Sequence, residues 1–161
     1  MALDPTRREK LIQQYADGPK RLRGALAGTA AGAMKWRPAP EKWSVHEVIC
    51  HCADSESNAY ARVRYLLAEK EPLLIGYDQA RWAVVLDYHN HPLEPALATI
   101  EAVRANTVAL LRRLPEDAWQ RGGRHTEIGP ITVEEWLPIY AEHLEIHARQ
   151  IERNLEAWSK R

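Results

Sequence analysis

The last helical segment of the chain carries one apolar stripe, and this stripe predicts that the segment packs inside a bundle of helices. Its members recur every three or four positions, the spacing of a single helix face: they are Trp136, Tyr140, His143, Leu144, His147, Ile151 and Leu155. His143 and His147 are four positions apart, so both imidazoles project from that face about one turn from each other. Two titratable rings therefore occupy positions where a bundle helix normally has Leu or Ile.

Three further segments have helical periodicity, and capping residues mark where helices begin. Ser44 and Glu47 form a capping box before the second helix, and Thr132 and Glu135 repeat that box before the last one. The predicted helices run from Pro5 to Gly28 or Gly32, from Ser44 to about Glu69, from Pro92 to Leu114 and from Thr132 onward, with a short helix around residues 78–85. Since no segment is a persuasive strand, we expect an all-α four-helix bundle forming a single domain over residues 1–161.

A long loop, residues 115–131, is expected before the last helix. It contains Trp119, the pair Gly122 and Gly123, and His125. Connections of this length are uncommon in a small domain unless they have a function. We therefore interpret this segment as a binding loop.

His51 is a third histidine at a helical position that is expected to face the interior. It lies on the second helix, on a stripe with Val48, Ser55 and Asn58 that is polar for a buried seam. Three imidazoles from two helices can hold one divalent metal ion. The alternative, in which each imidazole is a core residue with one hydrogen bond to a neighbour, stays open. A zincin protease is not supported, because Leu144 and not Glu follows the first histidine of the pair.

Composition argues against two classes of partner. The chain has 22 basic and 22 acidic side chains scattered along it, so we expect neither a nucleic-acid nor a membrane partner. No apolar stretch approaches the ~20 residues of a membrane span, and the opening residues lack the apolar core of a signal peptide, so we expect a cytoplasmic protein. Cys50 and Cys52 flank His51 but point in different directions on a helix, and we interpret them as reduced core residues.

Three separated motifs resemble the DinB superfamily, in particular its YfiT-like branch of metal-dependent hydrolases and bacillithiol S-transferases. The motifs are WSVHEVICHCADSE, YDQARWA and HTEIGPITVEEWLPIYAEHLEIHARQI, and they follow one another in the family's order between Trp43 and Ile151. The resemblance implies a four-helix bundle in which His51, His143 and His147 bind one divalent metal ion, which is zinc, nickel or iron. It also implies a homodimer.

The resemblance further implies a metal-dependent S-transferase that joins a low-molecular-weight thiol, such as bacillithiol, to an electrophile. Two alternatives stay open: a hydrolase that uses metal-bound hydroxide, and a non-enzymatic metal-dependent ligand-binding or stress-response module. His125, which resembles a recurrent histidine of the family, and Asp54, one turn after His51, are the candidate catalytic residues beyond the metal. Asp54 and Glu142 could instead be solvated charges or partners of an imidazole N–H. No residue is a clear hydrolytic base.

Overall fold

Four long helices account for most of the computed structural model, which describes residues 3–161. They are α1 (Pro5–Leu26), α3 (Val45–Ala68), α5 (Leu93–Leu111) and α6 (Val133–Ser159). Two shorter helices, α2 (Ala31–Met34) and α4 (Gln79–Val85), and one 3-10 helix (Glu116–Gln120) lie in the connections. The predicted four-helix bundle is confirmed, and the observed helix limits lie within a few residues of the predicted ones.

Side-chain caps determine where the long helices begin, as the capping boxes predict. The Ser44 hydroxyl accepts the backbone N–H of Glu47 at 3.2 Å, while the Glu47 carboxylate accepts the backbone N–H of Ser44 at 2.8 Å. Thr132 and Glu135 form the same reciprocal pair before α6. Each box satisfies two donors that a helix start would otherwise leave without partners, and the box before α3 places His51 two turns into that helix.

The long helices form two closely packed pairs, α1 with α6 and α3 with α5, and contacts between α3 and α6 join the pairs. One apolar cluster surrounds the rings of Tyr15 and Trp136, whose centroids are 5.6 Å apart. A second cluster includes Ile49 of α3 and Leu144 of α6. The helix that carries His51 therefore packs against the helix that carries the histidine pair.

The expectation that the chain contains no strand was wrong. Strand β1 (Leu73–Leu74) pairs in parallel with β2 (Gly122–His125), which pairs antiparallel with β3 (Gly129–Thr132). Gly123 permits the close approach of β1, because a Cβ there would lie 2.5 Å from the carbonyl oxygen of Pro72. The expected loop before α6 is therefore a 3-10 helix followed by a β-hairpin. Strands of two to four residues are too short for alternation to reveal them.

The outward faces of the long helices carry charged side chains that form ion pairs. Arg21 of α1 contacts Glu145 at 2.9 Å and Glu152 at 2.7 Å, both on α6. Arg23 of α1 pairs with Glu101 of α5. In the part of the chain that the structure describes, no helix combines the length and the apolar character needed to cross a bilayer.

Candidate metal centre

Two helices bring the three histidines of the sequence motifs together inside the bundle. His51 of α3 is only 2% exposed. Its ring centroid lies 5.7 Å from that of His143 and 4.8 Å from that of His147. The two rings on α6 are 4.6 Å apart, and the indole of Trp43 packs against His51 at 4.8 Å.

The nitrogen atoms of these rings are close enough to share one ion. One nitrogen from each histidine lies within 4.8 Å of the other two. Two nitrogens bound to a single tetrahedral zinc ion at ~2.1 Å are about 3.4 Å apart, so small side-chain rotations are enough to close the set around a metal. Within residues 3–161, these histidines are the one group of three or more His, Cys, Asp or Glu side chains that converges in this way.

Hydrogen bonds orient both imidazoles of α6. Nδ1 of His143 lies 2.9 Å from Oε1 of Glu56, and Nδ1 of His147 lies 2.9 Å from Oε1 of Gln150. An ionised carboxylate and an amide oxygen only accept hydrogen bonds, so each ring carries its proton on Nδ1. The lone pair of Nε2 is then available on both rings, which is the arrangement usual for metal-bound histidine.

His51 shows that the cluster fits a cation better than it fits three ordinary core residues. Its Nδ1 is buried and has no hydrogen-bond partner among the residues that the structure describes. A buried nitrogen without a partner costs about 1–3 kcal/mol, and buried polar groups nearly always avoid this cost. An ion bound at the cluster would give the ring of His51 a partner that it otherwise lacks. The donor set, three imidazoles from two helices, therefore suits a divalent metal.

Glu56, the residue that orients His143, belongs to a buried ion pair. Arg104 of α5 donates to both carboxylate oxygens, at 2.8 and 2.7 Å, and both side chains are at most 1% exposed. The same guanidinium donates to the carbonyl oxygens of Tyr15 at 2.6 Å and Tyr140 at 2.7 Å. One arginine thereby connects all four long helices at the level of the histidine cluster.

The sequence analysis did not identify Glu56 or Arg104, although a signal was present. Arg104 occupies an apolar position of α5, in register with Ile100, Thr107 and Leu111, which are all buried. A charged residue in such a stripe is seldom buried unless it is paired. That position alone predicts a buried partner, but it does not indicate that the partner contacts a histidine of another helix.

Burial favours the neutral form of two imidazoles of the cluster, those of His51 and His147. It lowers the pKa of His51 to about 3, and His147 and His143 act in the same direction. Burial also lowers the pKa of His147 to about 4, with His143 contributing. For Glu56, burial alone would raise the pKa, but the charge of Arg104 and the hydrogen bonds from His143 and Arg104 outweigh it and lower the pKa. The neutral imidazoles of His51 and His147, in a cluster that also contains the carboxylate partner of His143, suit a cation.

The candidate catalytic residues beyond the metal lie outside this cluster. Asp54 accepts a hydrogen bond from the hydroxyl of Tyr88. His125 is buried in β2, where its Nδ1 accepts the backbone N–H of Glu127 at 3.2 Å. Glu142 is exposed on α6. None of these side chains belongs to the group of converging donor atoms.

Both cysteines agree with the prediction of reduced core residues. Cys50 and Cys52 are buried and unpaired. Burial raises the pKa of the Cys50 thiol to about 12 and raises that of Cys52 well above its ordinary value. A buried, protonated thiol is a poor ligand and a poor nucleophile, so the C-H-C run contributes only His51 to the site.

Comparison with known sequences identifies the relatives of this chain. The family model described as the DinB superfamily matches residues 14–151. A protein of Oceanobacillus iheyensis that bears the name "Putative metal-dependent hydrolase" is 38% identical over 140 residues, which cover 87% of this chain and 81% of that protein. YfiT of Bacillus subtilis, which bears the same description, is 27% identical over 151 residues, covering 93% of this chain and 85% of YfiT.

Solved structures show the same fold. The structure of Bacillus subtilis YfiT, described as an unusual four-helix bundle, matches with a TM-score of 0.90 at 26% identity and covers 98% of this chain and 91% of that one. A mycothiol-dependent maleylpyruvate isomerase matches with a TM-score of 0.71 at 15% identity, covering 89% of this chain and 60% of that one. The second likeness is one of fold.

Proposed function

This chain belongs to the DinB superfamily, and from that premise we propose that it is a metal-dependent S-transferase joining a low-molecular-weight thiol, such as bacillithiol, to an electrophile. His51, His143 and His147 would hold the metal, which would be zinc, nickel or iron, since imidazole ligands suit all three. In the overall reaction a C–S bond forms, the leaving group of the electrophile departs with its bonding electron pair, and the thiol releases its proton.

The observation that carries this proposal is a cluster of three imidazoles that, within residues 3–161, converges with no carboxylate among its donor atoms. The carboxylate of Glu56 contacts His143, but it is fully buried and also bonded to Arg104. A hydrolase gains rate from a base beside the attacking water, whereas a thiol attacks without one once it is ionised. A divalent ion held by histidines supplies this ionisation, because it lowers the pKa of a bound thiol or water.

The residues of the chain supply orientation and exclude water. Glu56 holds the ring of His143 so that one nitrogen stays available to the ion. The indole of Trp43 covers the ring of His51, and the ring of Tyr140 lies 6.1 Å from that of His143. Aromatic walls of this kind reduce the local dielectric constant and strengthen electrostatic interactions at the reacting groups.

Thiol chemistry has a precedent in this fold. The maleylpyruvate isomerase that matches this chain depends on mycothiol, another small cellular thiol. This precedent supports a thiol as the first substrate. It does not distinguish bacillithiol from mycothiol or glutathione, so the assay has to include all three.

The first test is elemental analysis of untagged protein purified without added metal. We expect about one divalent metal per chain, and we expect the His51→Ala, His143→Ala and His147→Ala variants to lose it. His91→Ala is the matched control, because His91 is exposed and lies outside the histidine cluster. If the wild type contains no metal even after reconstitution, the proposal of a metal-dependent enzyme is refuted.

The second test measures thiol consumption by the metal-loaded protein with bacillithiol, mycothiol or glutathione and a panel of alkyl halides and epoxides. We expect turnover with at least one thiol, and we expect loss of that turnover in His147→Ala. No turnover with any thiol would contradict the transferase proposal. Ligand binding by the metal-loaded wild type without turnover would instead favour a non-enzymatic binding module.

Hydrolysis is the second candidate, and the names of the relatives favour it, since both sequence relatives are described as metal-dependent hydrolases. The same protein should then cleave esters or amides in the absence of any thiol. Asp54 is the carboxylate to vary in that case, because it lies one turn from His51 and holds only the Tyr88 hydroxyl. Under the transferase proposal, Asp54→Asn should leave turnover with thiols nearly unchanged.

A further inference from the structure

A cavity of about 150 Å³ lies beside the metal centre and is not explained by metal binding. Its apolar walls come from α6, from the hairpin and from the segment after α3. The wall residues that define its shape are Leu74, Tyr77, Ile131, Trp136, Ile139 and Tyr140. An apolar cavity of roughly this volume accepts a benzene ring in an engineered lysozyme, so the space is suited to a ligand of about that size.

Tyr140 connects this cavity to the histidine cluster. Its ring lines the cavity, and its centroid lies 6.1 Å from the ring of His143, which is one turn further along α6. A molecule in the cavity is therefore about one aromatic ring away from the metal ligands. The cavity has the position that a second substrate needs if it is to meet a thiol held at the metal.

The polar groups of the cavity are mainly hydrogen-bond donors. Arg62 donates to the hydroxyl of Tyr140 at 2.9 Å and to the carbonyl oxygen of Ile75 at 2.5 Å, which leaves further N–H groups of its five. In residues 3–161, no carboxylate forms an ion pair with Arg62.

His125 adds a second donor to the same cavity. Its Nδ1 accepts the backbone N–H of Glu127, so the ring carries its proton on Nε2. Burial and the nearby charge of Arg62 lower the pKa of His125, which keeps the ring neutral. Glu127 also borders the cavity with a carboxylate, but that side chain is exposed. Gln79 and the hydroxyls of Tyr77 and Tyr140 can donate or accept, so Arg62 and His125 are the residues of the cavity whose free N–H groups only donate.

We infer that this cavity binds the electrophilic substrate and that this substrate is a compact apolar molecule bearing a carboxylate. The carboxylate is received by Arg62, with the Nε2–H group of His125 as a further donor, and the apolar body lies against Tyr77 and Tyr140. Arginine favours carboxylates because its planar N–H pair matches their two oxygens. That the bound molecule is a substrate rests on the proposed transferase function, whereas the test below measures binding alone.

The test titrates benzoate and its neutral analogue benzyl alcohol into the protein, with isothermal calorimetry as the readout. Titrations use both metal-loaded and chelator-treated protein, because benzoate could also bind an ion directly. We expect benzoate to bind in both forms and more tightly than benzyl alcohol. Arg62→Met should weaken benzoate binding by about tenfold or more, since a hydrogen bond to a charged group is lost, and should change benzyl alcohol binding by less than about threefold.

Three further variants sharpen the result. Arg124→Met removes an exposed guanidinium next to His125 in the chain and should leave both affinities unchanged. Glu127→Gln removes the negative charge at the cavity and should strengthen benzoate binding. Arg62→Lys keeps the charge without the bidentate geometry, so it should weaken benzoate binding less than Arg62→Met does. Circular dichroism of each variant reports whether it is folded. If Arg62→Met does not fold, the benzoate affinities of Arg62→Lys and Glu127→Gln test the inference instead.

Benzoate binding that is indifferent to Arg62 and to Glu127, or that disappears when the metal is removed, would overturn the inference. The result is separable from the proposed function. Arg62-dependent binding without any thiol turnover would retain the carboxylate site and refute the transferase. Turnover with electrophiles that lack a carboxylate, together with no benzoate binding, would retain the transferase and refute the carboxylate site.

Discussion

The carboxylate of Glu56 supports both the bundle and the metal ligands, so its replacement by glutamine tests the two roles together. Glu56→Gln preserves the size of the side chain but removes its charge. Glu56 is 0% exposed and Arg104 is 1% exposed, so the variant leaves a buried guanidinium without its counter-charge. Breaking a buried ion pair from one side costs about 3–5 kcal/mol. This is a large part of the roughly 5–15 kcal/mol that stabilises an ordinary domain.

The assay is urea unfolding of chelator-treated protein, so that metal binding does not contribute to the measured free energy. The surface variant Glu152→Gln is the control, because Glu152 pairs with Arg21 at the surface and its side chain is 48% exposed. Exposed pairs contribute less than about 1 kcal/mol. A loss of less than about 1 kcal/mol in Glu56→Gln would refute the claim that this ion pair organises the bundle.

The same variant has a predictable dependence on pH and on metal. The pKa of Glu56 is lowered from 4.5, so its contribution to stability is present above pH 4.5 and is lost as the pH falls through the folded-state pKa. The difference between wild type and variant should therefore shrink in acid. Loss of the carboxylate partner of a metal-bound histidine typically weakens metal binding about 10–100-fold. Competition with a metal-sensitive dye measures this, and an unchanged affinity would exclude an orienting role for Glu56.

Three other predictions test the packing, the thiols and the metal. Gly18→Ala in α1 should lose about 1–3 kcal/mol in urea unfolding, because its Cβ would clash with a buried guanidinium, whereas Gly24→Ala has open space and should gain about 0.5–1 kcal/mol. Cys50, with a pKa raised to about 12, and Cys52 should react with iodoacetamide at pH 8 only after unfolding, and rapid labelling of native protein would contradict their burial. Chelation should lower the Tm of the metal-loaded wild type by mass action but leave His147→Ala unchanged, and an equal shift in both would place the metal elsewhere.

Local signals were sufficient to predict the helices. The capping boxes at Ser44 and Thr132 act through residues three positions away, and the apolar stripes repeat within each helix, so both are visible in the chain. The sheet was missed because its strands have only two to four residues, and because β1 pairs with β2 about fifty positions away. Short strands of this kind have little intrinsic preference and form only when the bundle brings them together.

The candidate site likewise has one part that local sequence patterns predict and another part that depends on how the helices pack. The pair His143 and His147 follows from helical spacing within one segment, whereas the approach of His51 depends on the packing of α3 against α6. The resemblance to a known family implied that His51 approaches the pair. The spacing of the residues along the chain could not predict this approach. The contact between Glu56 and His143 spans 87 positions. No local pattern encodes it, because it requires Arg104 of a third helix to hold the carboxylate in place.

The metal ligands reside on packed helices, whereas part of the wall of the neighbouring cavity belongs to the connections. The ligands project from two packed helices, while Leu74, His125 and Ile131 come from a small sheet formed by the connections. Connections accept substitutions and insertions far more readily than packed helices do. Substitutions in this sheet can therefore change part of the recognition surface while the helices that carry the three histidines stay as they are.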